Sequence, residues 1–157
     1  MGPESFIISI PIYLFTKRRF WLTGGGVMNT KKVFEIMTKV LVTVRPELRL
    51  TEAIKLMLKH DVGAVPVVDA QQDLIGIITE YNIMNLAFSG NAAETTVGEV
   101  MVREVVTFAP DADIEALVNF SAKHRLHRVP VVEGKKIVGI VSRRDILREM
   151  DRLYSQY

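Results

Sequence analysis

An α+β fold, two βαββα units related by a pseudo-twofold axis with their sheets packed together and helices outside, is predicted by three features of this sequence. The first is an internal repeat. Placing Val33 on Val97 makes 12 of 38 positions identical before the first gap, where average composition would give about two or three. The second is a pair of hairpin patterns, each of two β-branched runs around a short polar turn. The third is size: each unit spans about 55 residues, too few to cover both faces of its own sheet, so the two must pack together.

Taken in chain order, residues 1–27 look foreign to the rest of the chain. Phe6 to Phe15 is an apolar run of 10 broken by Pro11 and followed by Lys17-Arg18-Arg19; a membrane helix needs about 20 apolar residues, and a secretory signal carries its positive charges before the apolar run. Gly24 to Gly26 stands immediately before Val27-Met28, which implies G-rich codons at the distance a ribosome-binding sequence keeps from a start codon. Met28 is therefore expected to be the natural start, the alternative being a peripheral segment that docks on a partner or a membrane surface.

The repeated units occupy residues 33–88 and 96–153. Each begins with a short helical stretch (Val33 to Met37; Val97 to Met101) and a brief strand (Leu41 to Thr43; Val105 to Phe108) ended by Pro46 or Pro110. Leu50, Ala53, Ile54 and Met57, and Ile114, Leu117, Val118 and Ser121, then fall on one helical face. Asp113 is the expected N-cap of the second of these helices, whereas Arg49 at the matching place is a poor one. Lys59-His60 and Lys123-His124 close the two helices, where a cation complements the negative end of the dipole. Val65-Pro66-Val67-Val68 and Val129-Pro130-Val131-Val132 open the hairpins, and Glu80 to Phe88 and Arg143 to Leu153 are the closing helices. Ser89 to Thr95 is the linker.

The junction after the second hairpin carries the most chemistry. Ser142 followed by Asp145 is a capping-box pattern, in which the hydroxyl and the carboxylate satisfy free backbone N–H groups reciprocally. The same helix N-terminus, with Arg143 and Arg144 beside it, could hold a phosphate. Both readings stand on the residues alone. Arg143 and Arg144 are otherwise a solvated first turn, and His127 and Arg128 a solvated pair at a strand edge. The seven Met residues are expected as core filler.

Composition excludes several classes. The absence of Cys removes disulfides, zinc–thiolate sites and a cysteine nucleophile, and makes a reducing, cytoplasmic compartment the simplest home. A formal charge of +2, from 20 Lys and Arg against 18 Asp and Glu, is too small to argue for nucleic acid, and the basic cluster at Lys123 to Arg128 and Arg143-Arg144 has no aromatic platform beside it. No Ser-His-Asp arrangement, metal-spaced His set or Walker-type loop supports an enzyme, so no catalytic or metal-binding residue is expected, nor a membrane span.

Two Val-Pro-Val-Val strands, each followed by a hairpin and a Gly-Ile-(Ile/Val)-(Thr/Ser)-x-x-(Asn/Asp)-Ile junction, resemble a tandem pair of cystathionine β-synthase (CBS) domains, or Bateman module. The resemblance covers Val33 to about Met150. It implies a regulatory module in which an adenine nucleotide or related adenosyl compound (AMP, ADP, ATP or S-adenosylmethionine) binds between the units and occupancy is passed to a partner, an enzyme or a transporter. It implies that Ser142 and Asp145 hold phosphate and ribose, that Arg128 and Val129 lie against the adenine, and that His127 and Arg128 contact phosphate; Arg143 and Thr107 complete the expected site. Thr79, Asn82, Ala64 and Val65 form a weaker first-unit site, because Asn82 replaces the ribose carboxylate and Gly63-Ala64 replaces His127-Arg128. The resemblance also implies a homodimer, two pairs forming a flat disc through Ile83, Met84, Leu86, Phe88, Ile146, Leu147 and Met150. The alternative is a ligand-free dimerisation or protein-interaction module.

Overall fold

The chain, seen in a computed structural model, is described here for residues 7–9, 31–86 and 93–155. Of the N-terminal extension only β1 (Ile7–Ser9) is among them; the rest, with Ala87, Phe88 and the first part of the linker, lies outside the described residues. The first unit contains α1 (Val33–Ile36), α2 (Leu50–His60), the hairpin β2 (Ala64–Val68) and β3 (Leu74–Thr79), and α3 (Glu80–Leu86). The second contains α4 (Val97–Val100), β4 (Val105–Thr107), α5 (Ile114–His124), the hairpin β5 (Arg128–Glu133) and β6 (Lys136–Ser142), and α6 (Arg143–Tyr154). Among the described residues no helix is long and apolar enough to cross a membrane.

The hairpins form as their patterning predicts, and both carry a register shift at the same place, between Val67 and Val68 and between Val131 and Val132. Their turns differ. Asp69 Oδ1 accepts from the backbone N–H of Gln71 and of Asp73, an Asx turn, whereas the shorter second turn bends at Gly134, whose φ is +60° in open space. Gly134→Ala should therefore cost about 1 kcal/mol, the left-handed penalty for a residue with a Cβ, read as a lower denaturant midpoint at unchanged slope.

The strand expected over Leu41 to Thr43 is absent; Val44 alone bridges β2, in parallel register with Val67. Val44 N–H donates to Pro66 O and Val68 N–H to Val44 O. The next rung toward Val42 would need an N–H on residue 66, which proline lacks, so the ladder stops. In the second unit Pro130 imposes the same limit, but Val105–Thr107 gains a parallel partner in β1 and remains a strand.

The short helices are exchanged between units, which the sequence did not suggest. α1 packs on the second unit: Val33 N–H donates to Ala112 O, Ile114 N–H to Lys31 O, and Thr38 and Ile140 exchange both backbone bonds. α4 packs on the first in the same way, through Val97 to Leu48, Leu50 to Thr95, and a reciprocal pair between Ile77 and Val102. Each core is thus completed by the other unit. Val97 and Met101 join Leu50, Met57, Val65 and Ile78, while Val33 joins Leu117, Val129, Val131 and Val141. Ala64, Leu74, Ile77, Val105 and Val132 form a third cluster shared by the two units.

The exchange also corrects the expected cap. Asp113 stands at the N-cap of α5 but its side chain makes no cap bond; its carboxylate accepts from Lys32 Nζ at 2.7 Å and raises the pKa of that ammonium. The free N–H of Ile114 is served by Lys31 O instead, as that of Leu50 is by Thr95 O. At α4 the cap is local: Glu99 accepts from Thr96 N–H at 2.6 Å and from the Thr96 hydroxyl at 2.8 Å. Those two donors hold the Glu99 pKa below its usual value. A depressed folded pKa adds stability above the unfolded value and loses it as pH falls through the folded one. Glu99→Gln should accordingly flatten the stability–pH curve on the acid side, measured by urea unfolding across the carboxylate range.

Candidate functional site

β6 runs directly into α6, and the junction builds the capping box read from the sequence. Ser142 Oγ accepts from Asp145 N–H at 3.3 Å, and Asp145 Oδ2 accepts from Ser142 N–H at 2.8 Å and from its hydroxyl at 2.6 Å. Asp145 is 7% exposed. Its other oxygen, Oδ1, accepts from Arg148 Nη1 at 3.0 Å. Antiparallel pairing sets Arg128 opposite Ser142, and Arg143 N–H donates to His127 O, so His127 and Arg128 are held against the start of α6 by backbone alone.

These residues face a cleft of about 820 Å³ between the units. Its second-unit wall carries His127, Arg128, Ser142, Arg143 and Asp145, all expected site residues, together with Arg144. Its first-unit wall is largely apolar, with Leu41, Val42, Ile54, Met57, Val62 and Ile83. The walls meet where Thr38 pairs with Ile140. His60, at the end of α2, also lines the cleft, while His124 stacks on Phe120 with centroids 4.1 Å apart.

Other expected residues lie elsewhere. Val129 and Val65 are core residues at 2% and 0% exposure, reaching a ligand through backbone at most. Thr107 is fully buried, its hydroxyl without a hydrogen-bond partner among the described residues, and it is not among the residues lining this cleft. Of the first-unit set, Ala64 lines this same cleft, whereas Thr79 and Asn82 do not line it. Asn82 Oδ1 accepts from Thr79 N–H at 3.0 Å, and Thr79 Oγ accepts from Asn82 N–H at 3.3 Å. The amide thus reproduces the capping geometry of Asp145 without its charge.

Arg148 and the segment from Thr38 to Val42 escaped the sequence reading. Arg148 had a signal, the Asp-x-x-Arg spacing that brings i and i+3 side chains together on a helix. The Thr38 to Val42 segment had none, because only the exchange of α1 carries it to α6.

A cleft between two repeated units, each built of a long helix, a hairpin and a closing helix, with the capping-box junction at its edge, defines the class of protein as a CBS domain pair. The CBS domain family matches residues 33–89 and 97–152, and the chain belongs to it. Among curated proteins it is similar to the CBS domain-containing protein YhcV of Bacillus subtilis, 36% identical over 115 residues, which are 73% of this chain and 81% of that one. It is also 33% identical over 117 residues, 74% of its length, to L-aspartate semialdehyde sulfurtransferase of Methanocaldococcus jannaschii, of which it spans only 22%. Among solved structures, the CBS domain pair of protein MJ0100 in complex with 5′-methylthioadenosine and S-adenosyl-L-methionine superposes with a TM-score of 0.72 at 30% identity, covering 79% of this chain and 98% of that one.

Proposed function

We propose that this CBS pair is a regulatory module, without catalysis of its own, that binds an adenosyl ligand in the cleft between its units and passes occupancy to a partner enzyme or transporter in the cytoplasm. One observation carries the reading: a single cleft sets the Ser142, Asp145, His127 and Arg128 group of one unit opposite an apolar wall of the other. The apolar wall suits a base, the carboxylate a ribose diol, and the helix N-terminus with its arginines a phosphate. Support comes also from the MJ0100 pair, whose complex holds two adenosyl compounds. A ligand gripping both walls would set the angle between the units, since the Thr38–Ile140 pairing at the cleft is also the seam that joins them. Thermal melting with AMP, ADP, ATP and S-adenosylmethionine tests the proposal. A ligand bound only by the folded state at about 100 times its dissociation constant adds about 2.7 kcal/mol; no shift with any of them at millimolar concentration would count against it.

A ligand-free interaction module is the second reading, and it is favoured by the engagement of Asp145, whose oxygens already accept three bonds from Ser142 and Arg148. In either reading we propose a homodimer through the outer faces of α3 and α6. Ile83, Leu86 and Ile146 turn inward against their own cores, so the surface offered is Tyr81 and Met84 with Leu147, Met150 and Tyr154. Sedimentation should give twice the chain mass, and Met84→Glu with Leu147→Glu should return it to the monomer.

A further inference from the structure

Resting on the adenosyl site proposed above, we infer that the cleft chooses its ligand by charge and takes a nucleoside polyphosphate in preference to an uncharged or cationic adenosyl compound. Arg128, Arg143, Arg144 and Arg148 all line the second-unit wall. Arg148 is offset by Asp145, but the other three form no ion pair with any described residue. Three guanidinium groups held on one wall repel one another. Two of them also occupy the first turn of the 12-residue α6, where the helix dipole disfavours cations. An anion bridging the wall relieves both costs, and Arg forks are suited to phosphate oxygens.

Apart from Asp145, which Arg148 offsets, the carboxylates lining the cleft belong to the first unit. Asp61 caps the far end of α2, and Glu80 stands in the first turn of α3 with its carboxylate folded over Gly63; both belong to the apolar, first-unit side. With the ribose at Asp145, the base lies toward that side and the 5′ substituent toward the arginines. A triphosphate there meets three cations. S-adenosylmethionine sets a single carboxylate against its sulfonium and ammonium, so its net positive charge would meet like charge, and the methylthio group of 5′-methylthioadenosine would leave the guanidiniums uncompensated.

Calorimetry on the full chain with magnesium-free ATP, ADP, AMP, 5′-methylthioadenosine and S-adenosylmethionine tests this, at low and at moderate salt. Affinity should rise with each phosphate, and ATP should bind at least about tenfold tighter than 5′-methylthioadenosine, a difference of ~1.4 kcal/mol. Salt should weaken ATP far more than the uncharged ligand. Arg143 and Arg144 are exposed, so Arg143→Gln and Arg144→Gln should fold normally, which melting verifies, and should each weaken ATP several-fold with 5′-methylthioadenosine unchanged. Binding of 5′-methylthioadenosine or S-adenosylmethionine as tight as ATP overturns the inference and leaves the adenosyl site standing. Wild-type preference for ATP untouched by either substitution also overturns it. Failure of every adenine compound to bind overturns both.

Discussion

Replacing Asp145 with Asn is expected to leave the chain folded while weakening adenosyl-ligand binding by about 1.5–3 kcal/mol, the range for a hydrogen bond to a charged group. The first unit supplies the internal control. Asn82 already makes the equivalent cap with Thr79 through its amide oxygen, so an amide at position 145 can keep both bonds to Ser142. What it loses is the charge that receives a ribose diol and that holds Arg148. Asp145→Ala removes the cap as well, at a further cost of about 1 kcal/mol in stability. Asn82→Ala should touch stability alone. Calorimetry and melting on the three variants separate the effects; an Asp145→Asn protein that binds every adenine ligand as the wild type does would transfer the site's role from ligand contact to capping.

Gly76→Val is expected to destabilise the chain by about 3 kcal/mol, the upper end of the usual overpacking range, although Gly76 lies in a hairpin of β-branched neighbours. A Cβ there would stand 2.7 Å from Met101 Sδ and 2.9 Å from Val102 O. That carbonyl accepts from Ile77 N–H at 2.9 Å, so it cannot retreat without breaking the pairing that holds α4 on the first unit. Gly139 occupies the matching position against Met37, but there the three nearest atoms belong to a flexible side chain. Gly139→Val should cost less and should be partly rescued by Met37→Ala, whereas Met101→Ala should do little for Gly76→Val. Urea unfolding of the four proteins measures the contrast, and equal losses at both glycines would show that the backbone of Val102 yields.

Much of the candidate site was legible because it is local. Ser142 to Asp145 spans three residues, the hairpin fixes Arg128 against Ser142, and both arise from patterns within one unit. Arg148 could have been found by the same spacing argument. Thr107 and Val129 were harder to place, because a β-branched strand pattern marks a residue as inward-facing without saying whether the interior it faces is core or cleft.

The sequence by itself determined the repeat, the two hairpins, the long helices and the capping boxes, since these depend on hydrogen bonds and side-chain periods reaching only a few residues along the chain. Only the tertiary structure decided where Val33 and Val97 are buried, who caps α2 and α5, and which residues of the first unit face Asp145. Those outcomes depend on the pseudo-twofold packing, which brings segments of one unit onto the other in a repeat whose two copies are alike. A short helix patterned to cover a core fits either copy. The chain places each on the other, and the cleft opens where the two exchanges meet.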